Sequence, residues 1–421
     1  MNTEQNGSAS PRTSCAQVMV TLAVIAMLVG IGFAAGMATM WLTSASANEA
    51  PTVSAATAET GGDGVEDTDP FSILDEIRTI LADEFVEPDQ LDPREMSYGA
   101  AAGMVAAVGD AHTMFVEPVQ AAIIEEDMQG SFEGIGATVD LIDGVVTIVQ
   151  PLPNSPAERA GIQAGDEVLA VDGESIEGME LMDAITLIRG PEGTKVTLLI
   201  RRESLEEPFS VSVTRARIEV AIVESRMLDG GIGYISLTEF NAVALDQVRA
   251  ALREILREDP TGLILDLRNN PGGYLHMAID ITSEFLPRNS LVVTERPRDQ
   301  EEASHHVVRN GLATEIPLAI LVNGGSASAS EIVAGAIQYH GRGMLVGTNT
   351  YGKGSVQSTH TLTDGSSLRV TIAKWVLPGG RILDGDGLTP DIVVEITPED
   401  AAAGRDPQLD RAVDYLQEQG R

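Results

Sequence analysis

The chain of 421 residues is short of cysteine, of aromatics and of bases. It has one cysteine, Cys15, only 4% aromatics, and 27 Lys and Arg against 63 Asp and Glu, for a formal charge of −36. A single thiol excludes an intramolecular disulfide and argues against a Cys/His zinc site. The six histidines show no His-Glu-x-x-His spacing. The adjacent His305 and His306 would point to opposite faces of a strand, so no metal centre is expected. A chain this acidic lacks the basic surface that phosphates require, which excludes nucleic acid as a partner; the acids read as a solvated surface. Apolar residues, at 43%, are not lacking, and the length fits two or three domains.

Charge is also missing from Val18 to Leu42, a run of 25 residues. It exceeds the roughly 20 residues that span a bilayer, and the roughly 7–15 of a secretory signal's apolar core. It is therefore expected to be a transmembrane signal anchor, with a cleaved signal ending near Ala45-Ser46-Ala47 as the alternative. Arg12 on one flank, and no base before Arg78 on the other, put residues 1–17 in the cytoplasm. The rest of the chain then lies outside a cell membrane crossed once, secreted or periplasmic if the signal is cleaved. Cys15, just before the span, is an idle thiol or a palmitoylation site. Residues 43–69, rich in Ser, Ala, Thr, Gly and acids, read as a flexible stalk.

From Phe71 the apolar spacing becomes helical, and 70–128 is expected to be a small helical region, with helices at about 94–108 and 117–128. Strand patterns follow. Gly134, Ile135, Gly136 and Ala137 precede a strand. Val145–Val149, a Pro-rich turn, a short helix at Ala157–Ala160, a helix at Met182–Ile188 and a strand at Lys195–Arg201 complete a compact unit. The glycine loop, the Ser155–Asp166 run and the Val171-Asp172-Gly173 turn resemble a PDZ domain, placed at 129–216. PDZ domains bind an extended C-terminal peptide by strand addition. The resemblance makes Gly134, Ile135, Gly136 and Ala137 the peptide-binding loop, whose small side chains let backbone donors cluster about a carboxylate.

The second half alternates strand and helix: Gly233–Leu237, 243–257, Leu263–Leu267, 275–286, Leu318–Val322, 331–339 and Met344–Gly347. That order predicts an α/β core over 217–398 with a partly parallel sheet, and a C-terminal helical tail at 399–421. The fold class expected is thus α/β and α+β multidomain. Sites in such sheets lie beyond the C-terminal ends of strands, where Arg268–Gly273 and Gly324–Ser330 fall.

Two segments there carry chemistry. Ser326, Ser328 and Ser330 alternate among small residues where a strand becomes a helix, and Lys353 lies between Gly352 and Gly354. A serine at such a junction meets free backbone N–H groups that stabilise an oxyanion. A lysine becomes a general base once burial pulls its pKa down. Helix starts also favour serine as a cap, a role that suits Ser330. Residues 347–354 nearly spell a phosphate-binding loop, but Gly354 stands where Ser or Thr would hold magnesium. These patterns point to a serine hydrolase with a lysine base and leave three serines open.

Further segments now matter: Asp110–Phe115, Gly130–Gly136, Ile188–Gly190, Asp266–Gly273, Ser326–Glu331, Tyr351–Gln357 and Gly385–Asp391. Together, and in this order, they resemble the C-terminal processing (tail-specific) serine proteases from about residue 70 to 396. In that family the nucleophile lies 25 positions before the lysine, and 353 − 25 selects Ser328. The resemblance also implies that Gln357 orients Lys353, and that the Ala329 amide and one from Gly272 or Gly273 form the oxyanion hole. It implies an endopeptidase that cuts near substrate C-termini, with no metal or organic cofactor. Its partners would be proteins with extended apolar tails, held by the PDZ domain, and a homo-oligomer is compatible with it. His112 reads as structural, and Arg189 as a contact to a neighbouring region. The alternative from another class is a catalytically idle PDZ scaffold at the membrane.

Overall fold

The computed structural model describes residues 69–383 and 385–419. The expectations for 1–17, for the 18–42 span, for Cys15 and for all but the end of the stalk lie outside the described residues. Among those described, no helix is long and apolar enough to cross a membrane.

The first helix, Ser72–Glu84, buries none of its residues. Two more helices follow at Pro93–Ala106 and Pro118–Met128. Asp92 caps the first of these, its carboxylate accepting from the amides of Arg94 and Glu95, with Pro93 at the opening turn. The region is not purely helical. Met114–Val116 forms a short strand against 367–369, and Thr113 ties its start to the same partner strand: the Thr113 hydroxyl donates to Asp110 and accepts from the Thr371 amide. Three residues between two helices carry too little periodicity to betray a strand.

A two-stranded ribbon, Ser131–Gly134 against Ala216–Glu219, then leads into and out of an antiparallel sheet. That sheet runs 137–142, 145–151, 167–171, 195–201 and 209–214, in the order of the chain. Its core gathers Ile148, Val168, Val196, Leu198 and Ile200 under Ala184 and Ile188 of the helix Leu181–Ile188. The ribbon carries the unit past the boundary expected at 216.

The largest core surrounds a six-stranded sheet: 223–228, 232–237, 262–266, 318–322, 344–347 and 392–393, antiparallel at the first pair and parallel thereafter. The central strands Gly262–Asp266 and Leu318–Val322 are buried at every residue. That is why they read as unbroken apolar runs rather than as alternations. Leu263, Leu265, Ile320 and Val322 face the helices Ala244–Arg257, Leu275–Thr282 and Ala329–Tyr339. Ile264, Ala319 and Leu321 face the other way, onto Ala412 and Leu416 of the helix Pro407–Gln419. Arg268 fastens this last helix, its guanidinium spanning Asp266 (2.6 Å) and Asp406 (2.9 Å). Burial works against the charge of Arg268, but the carboxylates outweigh it and raise its pKa. A second sheet pairs 367–376 with 355–361 along one edge and with 114–116 and then 291–297 along the other.

Leu416 is 1% exposed and lies directly over Gly262. Leu416→Ala is expected to cost roughly 2–5 kcal/mol. It should lower the urea midpoint and leave the slope of the transition unchanged.

Candidate active site

The turn from Val322 into the helix Ala329–Tyr339 separates the three serines. Ser326 and Ser330 are buried, and their hydroxyls are spent on backbone: Ser326 Oγ donates to the Leu267 carbonyl (2.7 Å), and Ser330 Oγ to that of Asn270 (2.9 Å). Ser328 alone of the three lines an open cleft of about 870 Å³, together with Lys353, Gln357, Gly272 and Gly273. The expectation that Ser330 caps the helix is corrected. The helix begins at Ala329, so the cap position falls on Ser328 and Ser330 is already inside the first turn.

Ser328 has φ 55° and ψ −111°. A non-glycine residue pays roughly 1–3 kcal/mol for such a conformation, which persists only where the surroundings enforce it. It is a sharp strand-to-helix turn, made here without the Gly-x-Ser-x-Gly pattern. The enforcing group is Glu331. Its carboxylate, fully buried, accepts from the amides of Ser328 (2.9 Å), Gly352 (2.7 Å) and Lys353 (3.0 Å), and from the Thr350 hydroxyl (2.5 Å). One carboxylate thus fastens the backbone of Ser328 to the loop carrying Lys353.

Lys353 is half-buried. Burial first, and then the Arg369 guanidinium, hold its ammonium below the usual lysine range; Asp110 and Glu331 pull the other way. Arg369 comes from the strand 367–376, Asp110 from the loop before Met114, and His112 of that loop lines the same cleft. No hydrogen bond joins Ser328 Oγ to Lys353 Nζ in this state, a common finding before substrate tightens a site. Nor does one join Gln357 to Lys353. The Gln357 amide nitrogen donates to Ser355 (2.7 Å) and Thr371 (3.3 Å), and its oxygen is left without a partner among the described residues.

Two glycines close the other wall. Gly272, at φ +106°, lies so near Ser328 that an added Cβ would sit 2.8 Å from its Cβ and 2.9 Å from the Ala329 nitrogen. Gly273, at φ +141°, is pressed against the Phe240 carbonyl in the same way. Asn270 organises the loop. Its Oδ1 accepts the Gly272 amide (2.9 Å) while its Nδ2 donates to Leu237 (2.8 Å). The Gly272 amide is therefore committed, and the Gly273 amide has no partner among the described residues. The Ala329 amide, at the first helical position, is likewise unpaired there. Asn270, Glu331 and Arg369 were given no role by sequence reasoning. The available signal was polar residues set in otherwise apolar or glycine-rich runs.

In the smaller unit, Ile135, Gly136 and Ala137 border a groove of about 60 Å³ walled by Phe132, Ile185 and Ile188. Gly134 ends the entering strand. The amides of Ile135 and Gly136 have no partner among the described residues. Arg189 lies at the groove's edge, 4.3 Å over the Phe132 ring, and reaches Asp127 of the helix Pro118–Met128 (2.8 Å). It does touch a neighbouring region. Among the described residues no three metal-binding side chains converge; His305 instead pairs with Glu295 at 2.6 Å.

Comparison with known proteins gives two family matches: peptidase family S41 over residues 231–394 and the PDZ domain over 147–202. A carboxy-terminal-processing protease of Bartonella bacilliformis is 38% identical over 309 residues, 72% of this chain and 70% of that protein. A carboxyl-terminal-processing protease of Synechocystis is 37% identical over 347 residues, 80% of each chain. A Bacteroides fragilis structure named as an S41 protease superposes with a TM-score of 0.52 over 86% of this chain and 99% of that one. At 17% identity it speaks to the fold alone.

Glu331→Gln puts an N–H donor among four donors and is expected to cost about 3–5 kcal/mol. The loss should appear as a lowered denaturation midpoint, with the helix content of the folded protein unchanged in circular dichroism.

Proposed function

Because the chain belongs to the carboxy-terminal processing proteases of peptidase family S41 and is a serine-type peptidase, we propose that Ser328 and Lys353 form its catalytic dyad and that the PDZ unit selects substrates by their C-terminal tails. The observation that carries the first part is the fate of the three hydroxyls: two are buried on backbone carbonyls, and the third lines the cleft with the lysine.

In this reading neutral Lys353 Nζ takes the Ser328 proton as Oγ attacks the scissile carbonyl carbon. The oxyanion that forms is met by the amides of Ala329 and Gly273, both already free of partners, while Gly272 supplies the close approach. Collapse breaks the C–N bond; Lys353 returns its proton to the leaving amine, and an ester remains on Ser328. Lys353 then takes a proton from water, whose oxygen attacks the ester carbonyl; the C–Oγ bond breaks, Lys353 returns the proton to Ser328 Oγ, and the product leaves with its new carboxylate. Gln357, through its unpaired amide oxygen, steadies the lysine. No step calls for a metal or organic cofactor.

The tail of the substrate would add a strand beside Ala137–Ile142 and place its carboxylate at the amides of Ile135 and Gly136. The walls of Phe132, Ile185 and Ile188 suit a small apolar terminal side chain. Carried with this reading is a single membrane span at 18–42 that holds the catalytic part outside the cytoplasm.

With an unfolded protein as substrate, Ser328→Ala and Lys353→Ala should each lower kcat/KM by at least about 10³-fold, in keeping with losses of a nucleophile or its base. Equal cleavage by all three proteins would end the dyad reading, and no cleavage by any would favour the idle scaffold. The pH profile offers a second check. Lys353 must be neutral to act, so kcat/KM rises with pH through a limb set below the usual lysine range. Arg369→Gln removes a neighbouring positive charge and should move that limb to higher pH. For the tail, Gly136→Val crowds Ser155 and Ile218. It should weaken binding of a free-acid peptide to its level for the amidated peptide, read by fluorescence anisotropy.

A further inference from the structure

Eight arginines among the described residues are half-buried: 189, 202, 249, 268, 309, 342, 369 and 411. Taking a guanidinium partly out of water is costly unless an anion or carbonyl meets it. Arg189, Arg202, Arg249, Arg268, Arg309 and Arg411 each have a carboxylate within 4.0 Å. Arg342 donates to three backbone carbonyls. Arg369 has neither a carboxylate nor a hydrogen-bond partner among the described residues, and it lines the cleft that holds Ser328 and Lys353.

Its position is not accidental flexibility at an edge. Arg369 sits within the strand 367–376, opposite Met114 on one side and Thr359 on the other, so its backbone is held by neighbours on both flanks. Around it the cleft wall is polar and neutral, from Thr359, Thr361 and Ser367. The cleft's acids, Glu125 and Glu239, lie at the opposite charge environment, around Tyr274 next to Gly273, where they help to raise the tyrosine's pKa after burial. The cleft lining is thus polarised, with Arg369 unpaired on the lysine side and two carboxylates around Tyr274; Asp110 and Glu331, which pull on Lys353, are engaged by donors of their own.

We propose that Arg369 is a specificity-determining residue that receives a carboxylate of the bound substrate, from an Asp or Glu side chain near the scissile bond or from the terminus of a short tail. A guanidinium with five N–H donors and no internal acceptor matches a carboxylate in two-pronged geometry. Filling the site pairs the one half-buried guanidinium among the described residues that the fold leaves without a partner. The same pairing orients the peptide, because a carboxylate displaced toward Glu125 and Glu239 would meet like charge. This rests on the cleft being the peptidase site, as proposed above, but concerns binding and not the chemical step.

The test uses the full chain carrying Ser328→Ala, so that binding is read without turnover. Fluorescent peptides share one sequence in three forms: neutral with an amidated terminus, the same with one Glu, and the neutral sequence with a free terminus. Anisotropy gives Kd for each, in Ser328→Ala alone and combined with Arg369→Gln, Arg369→Lys or Arg369→Glu. Any carboxylate capture at the PDZ groove is common to all backgrounds and cancels in the ratio. A carboxylate form should bind about tenfold more tightly than the neutral peptide, in the range of one charge-assisted pair. With Arg369→Gln the Glu peptide's advantage should fall to about one, and the free acid's only to the part the PDZ groove supplies; both should persist in part with Arg369→Lys, and Arg369→Glu should favour a Lys-bearing peptide. An effect confined to the Glu peptide assigns the side-chain source, and one confined to the free acid assigns the terminus. No carboxylate preference in Ser328→Ala, or a preference that Arg369→Gln leaves unchanged, overturns the proposal. Failure of the dyad reading would show instead as undiminished cleavage by Ser328→Ala, which the binding ratio does not touch.

Discussion

The site depends on one buried carboxylate. Glu331 gathers three backbone amides and a hydroxyl, and these belong to two segments separated by more than twenty residues of chain. A carboxylate can sit in an apolar interior only when its lone pairs are met, and here they are met by the parts that must be held. The strained turn at Ser328 is maintained by the same bonds. Strain, burial and alignment are thus one arrangement. The helix could not adopt its start, nor the lysine loop its path, independently of the other.

Around this centre the molecule divides its polar groups by function. Hydroxyls and amides with structural duties are saturated: Ser326, Ser330, Asn270 and the Gly272 amide all have partners. Among the described residues the groups left open at or beside the cleft and the groove include the Ala329 and Gly273 amides, the oxygen of Gln357, the guanidinium of Arg369, and the amides of Ile135 and Gly136; the buried Thr282 hydroxyl, away from both, is also unpaired. Native interiors leave few polar groups unpaired, so such a set is informative about where ligands go.

Much of this was legible in the sequence, for identifiable reasons. Parallel strands buried on both faces leave unbroken apolar runs, and 263–267 and 318–322 were readable as such. The glycine loops at 134–137 and 272–273 stood out because they interrupt strand patterns. What escaped reading was long-range. Nothing local marks Met114–Val116 as a strand, since its partner lies some 250 residues away. Nothing in Ser326-Ala-Ser-Ala-Ser330 says which hydroxyl is free, because that is decided by carbonyls of Leu267 and Asn270. The resemblance to a family chose Ser328 by spacing; the fold supplies a chemical reason for the same choice. Glu331 looked like an ordinary helix former, and its importance appears only when its four donors are in place.

The ribbon of Ser131–Gly134 and Ala216–Glu219 has a different kind of consequence. At its base the Val220 amide meets the Gly130 carbonyl at 3.1 Å, so the chain enters and leaves the PDZ unit through a single doorway. Everything between those two residues is, topologically, a closed loop hung on the core. A unit attached in this manner can be lengthened, exchanged or lost over evolutionary time without rethreading the catalytic sheet. The PDZ unit and the peptidase core are therefore separable parts of one chain.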